Sequence, residues 1–168
     1  MKKFILLFLI LLQIFCQIQV YAKDNVTLVK VIDGDTIVVN LNNKEEHVRL
    51  IGVDTFESKY NKRIYIQVNK YNITKEVALQ LGLNAKENTV QITSHNLVLD
   101  YDKQDRDNYG RLLAYVYLEN NKMLNEEILK SGNGVTAFYR PNVKYKKQFK
   151  ILENEAKKNK IGIWKIIK

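Results

Sequence analysis

Apolar residues recur every second position over some stretches of the chain and every fourth over others, and the change of period marks its elements. β-Branched runs at 26–32 and 36–41 flank Asp33-Gly34-Asp35, which predicts a hairpin. A turn at Asn42-Asn43 leads to a third strand over 47–53, where Val48, Leu50 and Gly52 alternate with Arg49 and Ile51. The stretch 56–71 is polar with scattered aromatics and reads as a surface loop. From Asn72 the spacing of Ile73, Val77, Leu81 and Ala85 predicts a helix capped by Asn72 or Thr74. Residues 89–96 have no single period.

Strands follow at 97–101 and 112–118, joined by a polar, acidic loop over 102–110. A short helix comes next, with Asn125 as expected N-cap, Glu126 and Glu127 in its first turn, Leu124 stapling to Leu129, and Gly132 ending it. Residues 135–138 read as one more strand. After Pro141 a helix over about 142–160 carries the apolar stripe Tyr145, Phe149, Leu152 and Ala156, closed by Gly162 and anchored by Trp164. These elements predict an α+β fold: a five-stranded OB-type β-barrel with about three helices, preceded by an N-terminal signal segment.

That segment is a separate pattern. Lys2 and Lys3 precede residues 4–16, where twelve of thirteen positions are apolar, and Val20-Tyr21-Ala22 supplies small residues before a cut. The layout is that of a secretory signal peptide over 1–22 with cleavage after Ala22, leaving 23–168 as one domain. The expected location is secreted or periplasmic. The alternative is a membrane tether through residues 4–21, although Gln13, Gln17 and Gln19 interrupt the apolar run. Phe15 beside Cys16 argues against lipid attachment there.

The chain has 168 residues and one cysteine, Cys16, so an internal disulfide framework and a Cys-rich zinc site are both excluded. Two histidines, His47 and His95, are too few for a multi-histidine centre, and both read as solvated. The formal net charge is +9, which favours an anionic partner. The excess is local. Residues 140–168 carry ten Lys/Arg against Glu153 and Glu155, whereas 23–139 are close to balance.

Candidate chemistry lies in the turns. Asp33, Asp35, Asp54 and Glu57 fall at strand ends, and hard oxygen donors of this kind suit Ca²⁺ or Mg²⁺. Taken alone, Asp-Gly-Asp is an ordinary hairpin turn. Arg49 interrupts an apolar strand, and Arg111 follows the Tyr109-Gly110 turn. Two guanidiniums beside a group of carboxylates would suit a phosphodiester with a divalent cation, or else form structural Arg–Asp bridges.

Three ordered blocks carry a resemblance: Val31-Ile32-Asp33-Gly34-Asp35-Thr36, then Arg49-Leu50-Ile51-Gly52-Val53-Asp54-Thr55-Phe56-Glu57, then Asp107-Asn108-Tyr109-Gly110-Arg111. They resemble the signature blocks of the staphylococcal nuclease (thermonuclease) family, and Leu124-Asn125-Glu126-Glu127 and Gly162-Ile163-Trp164 are similar to its later landmarks. The resemblance implies a Ca²⁺-dependent phosphodiesterase on an OB barrel, acting as a monomer on DNA and RNA with no protein partner. It implies that Asp35 and Asp54 ligate Ca²⁺ through carboxylates and Thr55 through its carbonyl, with Asp33 in the outer shell. Glu57 would be the general base, Arg49 and Arg111 would bind the phosphate, and Tyr109 and Tyr139 would flank the nucleotide. Phe56 stands where the family usually has proline, and Ala137 where it often has an aromatic. A competing reading is a non-catalytic OB-fold protein that binds single-stranded nucleic acid through aromatic platforms and a basic groove.

Overall fold

The computed structural model describes residues 23–167. The expected signal segment lies outside the described residues. The order of elements is β1 (Lys23–Asp33), β2 (Thr36–Leu41), β3 (Lys44–Leu50), β4 (Gly52–Asp54), α1 (Lys62–Tyr71), α2 (Lys75–Ile92), β5 (Asn96–Asp100), β6 (Leu112–Leu118), α3 (Leu124–Lys130), β7 (Val135–Ala137) and α4 (Lys146–Lys158), followed by a 3₁₀ turn, Gly162–Lys165. Strands β1, β2, β3, β6 and β5 close into a barrel in that order. Its ladders are antiparallel except β3–β6, which is parallel with Arg49 opposite Leu113. Among the described residues the barrel is five-stranded as expected, with four helices where about three were expected. Among the described residues no helix is long and apolar enough to cross a membrane.

The inward faces of these strands form one core, in which Ile37, Val39, Val48, Leu97, Leu99 and Val116 are all buried. Tyr115 is buried too, its ring edge-on to Tyr145 at 4.6 Å. A second apolar cluster joins Phe56, Ile64, Ala78, Leu81, Ala156 and Trp164 and binds the helices beside the barrel. Trp164 anchors the C-terminal end here, with the Lys157 ammonium 4.4 Å from its ring centre.

Several boundaries differ from the sequence reading, each for a tertiary reason. The stretch read as a loop contains α1, because Ile64, Val68 and Tyr71 share one face and α2 supplies the apolar surface that face needs. Its N-cap is Asn61, whose side chain accepts from the amides of Arg63 and Ile64, and Asn72 ends it in the left-handed region. Thr74 therefore caps α2. That helix runs on through Thr89, a buried residue whose hydroxyl donates to the Gly34 carbonyl at 2.8 Å. The third strand breaks at Gly52, where φ is +79° and a side chain would overlap the Phe138 ring. The break releases β4 to pair with β7 outside the barrel, so the 135–138 strand is short and peripheral. Helix α4 starts at Lys146 rather than near 142, since the side chain of Asn142 is engaged by the Gln104 backbone at 2.8 and 2.7 Å.

Asn125 is not a cap. Helix α3 begins at Leu124, and the Asn125 amide is fully buried within the fold. It accepts from the Val116 amide at 2.9 Å and donates to the Ile51 carbonyl at 2.9 Å, so one side chain joins α3, β6 and the β3–β4 break. Truncating it strands buried donors and acceptors, which costs about 1–3 kcal/mol for each such group. Asn125→Ala is therefore expected to lose about 2–4 kcal/mol of stability in urea unfolding, with an unchanged m-value. Loss below about 0.5 kcal/mol, the range of ordinary surface substitutions, would contradict the clamp.

Candidate active site

Arg49 lies on the face of β3 opposite Val48 and Leu50, which point into the barrel core, yet its side chain is only about one-tenth exposed. A lone charge there would be costly, so its partners are many. Nη1 lies 3.1 Å from Asp35 Oδ2 and donates to the Val53 carbonyl at 2.6 Å. Nη2 lies 2.7 Å from Asp54 Oδ1. The β1–β2 turn and β4 therefore converge on one guanidinium. The Thr36–Arg49 register and the bond from the Leu50 amide to the Asp35 carbonyl at 3.0 Å set that convergence in the backbone.

The other carboxylates extend the same cluster. Asp35 Oδ2 also accepts from the Thr55 amide at 2.9 Å and its hydroxyl at 3.2 Å. Asp33 Oδ1 accepts from the Ser58 amide and hydroxyl, next to Glu57 in the chain. Glu57 is largely shielded. Burial pushes its carboxyl above the ordinary value of 4.5, against the opposing effects of an Asn61 hydrogen bond and the Arg63 charge. Asn61 Nδ2 donates to Glu57 Oε2 at 2.6 Å, and the Glu57 amide donates to Gln67 at 3.1 Å. Helix α1 thus holds Glu57 from both ends.

Arg111 is placed by its own loop. Asp107 Oδ1 accepts from the Tyr109 and Arg111 amides at 2.9 and 3.0 Å, closing the turn. Asp107 Oδ2 takes the Arg111 guanidinium through Nε and Nη2, both at 2.7 Å. Burial pushes the Asp107 carboxyl up, but the Arg111 hydrogen bonds and the loop amides outweigh it and hold it below the usual range. The guanidinium lies 5.6 Å from the centre of the Tyr109 ring.

The arginines open onto one cleft of about 430 Å³, whose lining includes Arg49, Arg63, Arg111, Asp107, Tyr109 and Tyr139. The two tyrosines are 87% and 77% exposed, free to receive a planar ligand. Ala137 also lines the cleft. Of the nine expected site residues, Arg49, Arg111, Tyr109 and Tyr139 line the cleft, while Asp33, Asp35, Asp54, Thr55 and Glu57 lie behind that lining, joined to it by the bonds of Arg49 to Asp35 and Asp54. His47 and His95 are exposed and outside it.

The donor set suits a hard divalent cation: two carboxylates, Asp35 and Asp54, with the Thr55 carbonyl directly after Asp54 in sequence. Among the described residues no three Asp, Glu, His or Cys side chains gather to hold a metal by themselves. Water would have to complete the shell. Positive charge among the acids is meanwhile supplied by guanidiniums, since Asp54 Oδ1 accepts from both Arg49 and Arg63. The Thr55 carbonyl accepts from Gln67 Nε2 at 2.9 Å, which fixes its direction.

Arg63, Asn61, Gln67 and Asp107 belong to the site and were not singled out in the sequence. For Asp107 a signal existed: an Asp four residues ahead of an Arg across an Asn-Tyr-Gly turn. For the three residues on or beside α1, no local pattern marked the helix that aims them.

Comparison with known proteins agrees with this geometry. A family model described as staphylococcal nuclease homologue matches residues 47–166. The chain is 40% identical over 139 residues to the thermonuclease of Staphylococcus hyicus, covering 82% of this chain and 73% of that protein. It is 44% identical to endonuclease YncB of Bacillus subtilis, covering 83% of this chain and 61% of that one. The SPbeta prophage-derived endonuclease YokF of the same organism is 42% identical, with 83% of this chain matching 44% of its length. The chain thus spans less than two thirds of both Bacillus relatives.

Arg49 and Arg111 differ sharply in burial, which separates their substitutions. Removing the Arg49 side chain leaves the buried Asp35 carboxylate without its cation, a change that costs about 3–5 kcal/mol. Arg111→Ala opens a pair at the cleft rim, where about 1 kcal/mol is the expected limit. Urea unfolding of the two variants should show that order, and equal losses would contradict the bridging role of Arg49.

Proposed function

The chain belongs to the staphylococcal nuclease family, and we propose that, as a hydrolytic nuclease of that type, it is exported and hydrolyses DNA and RNA with Ca²⁺ by water attack on phosphorus. The supporting observation is a single cleft lined by Arg49, Arg63 and Arg111, in which Arg49 is paired with Asp35 and Asp54 and Arg63 with Asp54 and Glu57. Cleavage after Ala22 would release the 146-residue mature chain, which has no cysteine and hence no thiol to oxidise outside the cell.

The chain's residues divide the work. Asp35 and Asp54 through their carboxylates and Thr55 through its carbonyl would hold Ca²⁺, with Asp33 behind them. Bound there, the cation supplies Lewis-acid stabilisation of a phosphoryl oxygen and a template for the substrate. Arg49 and Arg111 present planar donors to the oxygens that gain negative charge as the nucleophile adds, and so favour the transition state over the substrate. Asp107 keeps the Arg111 fork oriented. Glu57 accepts the proton of the attacking water, and its raised proton affinity strengthens it as a base. Tyr109 and Tyr139 give the nucleotide two exposed faces for stacking.

Purified residues 23–168 incubated with single-stranded DNA should cleave it with Ca²⁺ and stop with chelator. Tight binding without cleavage in both conditions would instead support the non-catalytic OB module. Arg111→Ala is expected to reduce turnover about 10²–10³-fold with the protein folded. The unprotonated form of Glu57 is the active one, so turnover should fall as pH drops through a pKa above 4.5. Glu57→Gln should be slow and lack that acidic limb; near-normal turnover in either variant would remove the role assigned.

A further inference from the structure

Arg63 lies in the first turn of α1, and its guanidinium reaches back into the acid cluster. Nη2 is 2.8 Å from Asp54 Oδ1 and Nε is 2.9 Å from Glu57 Oε1. One side chain therefore occupies both the carboxylate assigned to the cation and the carboxylate assigned to the proton. Arg49 shares the same Asp54 oxygen, at 2.7 Å.

The two arginines are not equivalent. Arg49 is about one-tenth exposed and tied to the Val53 carbonyl, so moving it would orphan a buried acceptor. Arg63 is half-exposed, and its bonds run to two carboxylates at the edge of the site. It also lines the cleft with Arg49 and Arg111, so a rotation of its long side chain keeps it beside the space where a phosphate would lie. Its planar fork matches phosphate oxygens as well as it matches carboxylates.

Building on the calcium-dependent reading above, we infer that Arg63 is a displaceable counter-ion. It neutralises Asp54 and Glu57 while no divalent cation is bound, yields them when the cation arrives, and then turns to the substrate phosphate. A cation and a guanidinium carry like charge and compete for one oxygen, so Arg63 weakens cation binding in the free protein. Once released, the same charge favours the phosphate. Cation and phosphate therefore assist one another's binding, and linkage requires the assistance to be equal in both directions. Release of Arg63 also uncovers the Glu57 carboxylate, so the base is exposed only in the loaded state.

The test is calorimetric titration of CaCl₂ into the wild-type chain, Arg63→Gln and Arg63→Lys, each with and without deoxyadenosine 5′-monophosphate, after thermal melts have established that the variants fold. Arg63→Gln should bind Ca²⁺ about tenfold more tightly than wild type, the release of two partly exposed ion pairs. Its gain in Ca²⁺ affinity on adding the nucleotide should be smaller than in wild type. Arg63→Lys keeps the charge but cannot bridge both carboxylates, and should fall between the two. If wild type binds Ca²⁺ and Arg63→Gln binds it equally or more weakly, with undiminished nucleotide coupling, the counter-ion role is overturned and the calcium site stands. If none of the three proteins binds Ca²⁺, the calcium-dependent reading fails, and this inference fails with it.

Discussion

Burying a guanidinium inside a β-strand is unfavourable unless oxygens from elsewhere in the chain turn towards it, and for Arg49 they come from two places. Asp35 arrives from the β1–β2 hairpin, and the Val53 carbonyl and the Asp54 carboxylate from the short strand beyond Gly52. Much of the local architecture follows from satisfying that one group. The hairpin register places Thr36 opposite Arg49, and the left-handed Gly52 lets the chain double back so that Val53 and Asp54 can reach it. The parallel β3–β6 ladder then sets Leu113 opposite Arg49, which brings the Arg111 loop to the same end of the barrel. A stability requirement and a functional arrangement are met by the same contacts.

The helices hold the other side of the cluster. Gly82 on α2 packs so closely beneath the site loop that a Cβ there would overlap the Glu57 carbonyl, and a Cβ on Gly34 would meet Ala85 and Thr55. The loop carrying Thr55 and Glu57 is therefore packed directly against α2 as well as bonded to Gln67 and Asn61, the kind of support that the role proposed for Glu57 would need. Phe56 takes part in this support. Where the family usually has proline, which stiffens a turn through its ring, this chain buries an aromatic 5.3 Å from Tyr71 and 2% exposed. Packing replaces covalent rigidity, and α1 is drawn in as a consequence.

That substitution of long-range packing for local stiffness decides what could be read in advance. The Asp-Gly-Asp hairpin and the Asp107–Arg111 turn were legible because each owes its shape to neighbours within a few residues, whereas the Arg49–Glu57 segment was legible only as a motif, since Asp35, Gln67 and Gly82 shape it from a distance. Helix α1 was not, since its apolar positions gain meaning only when α2 is laid beside them. Asn125 misled for the same reason. Ahead of Glu126 and Glu127 it has every local attribute of a cap, yet its partners are Val116 and Ile51. The β4–β7 pairing joins residues about eighty positions apart and left no periodic trace in three-residue strands. Residues contributed by such elements, Arg63 above all, are invisible to a motif.

Charge explains why a protein for polyanions would keep acids in its cleft. Asp33, Asp35, Asp54 and Glu57 face Arg49 and Arg63, while Arg111 is cancelled by Asp107. Formally the cluster is then two charges negative, which opposes a phosphate. The basic excess lies elsewhere, on the C-terminal segment, where Lys150 and Lys157 are paired with Glu153 and further lysines of α4 face solvent. Long-range attraction of a polyanion would therefore come from that segment rather than from the site. On the calcium-dependent reading, one divalent cation would bring the cluster to neutrality and release Arg63 for the phosphate, so the site's affinity would depend on the cation even though long-range attraction would not. A binding module would gain nothing from such a barrier, whereas a hydrolase gains a cleft that takes up its substrate only when the chemistry is assembled.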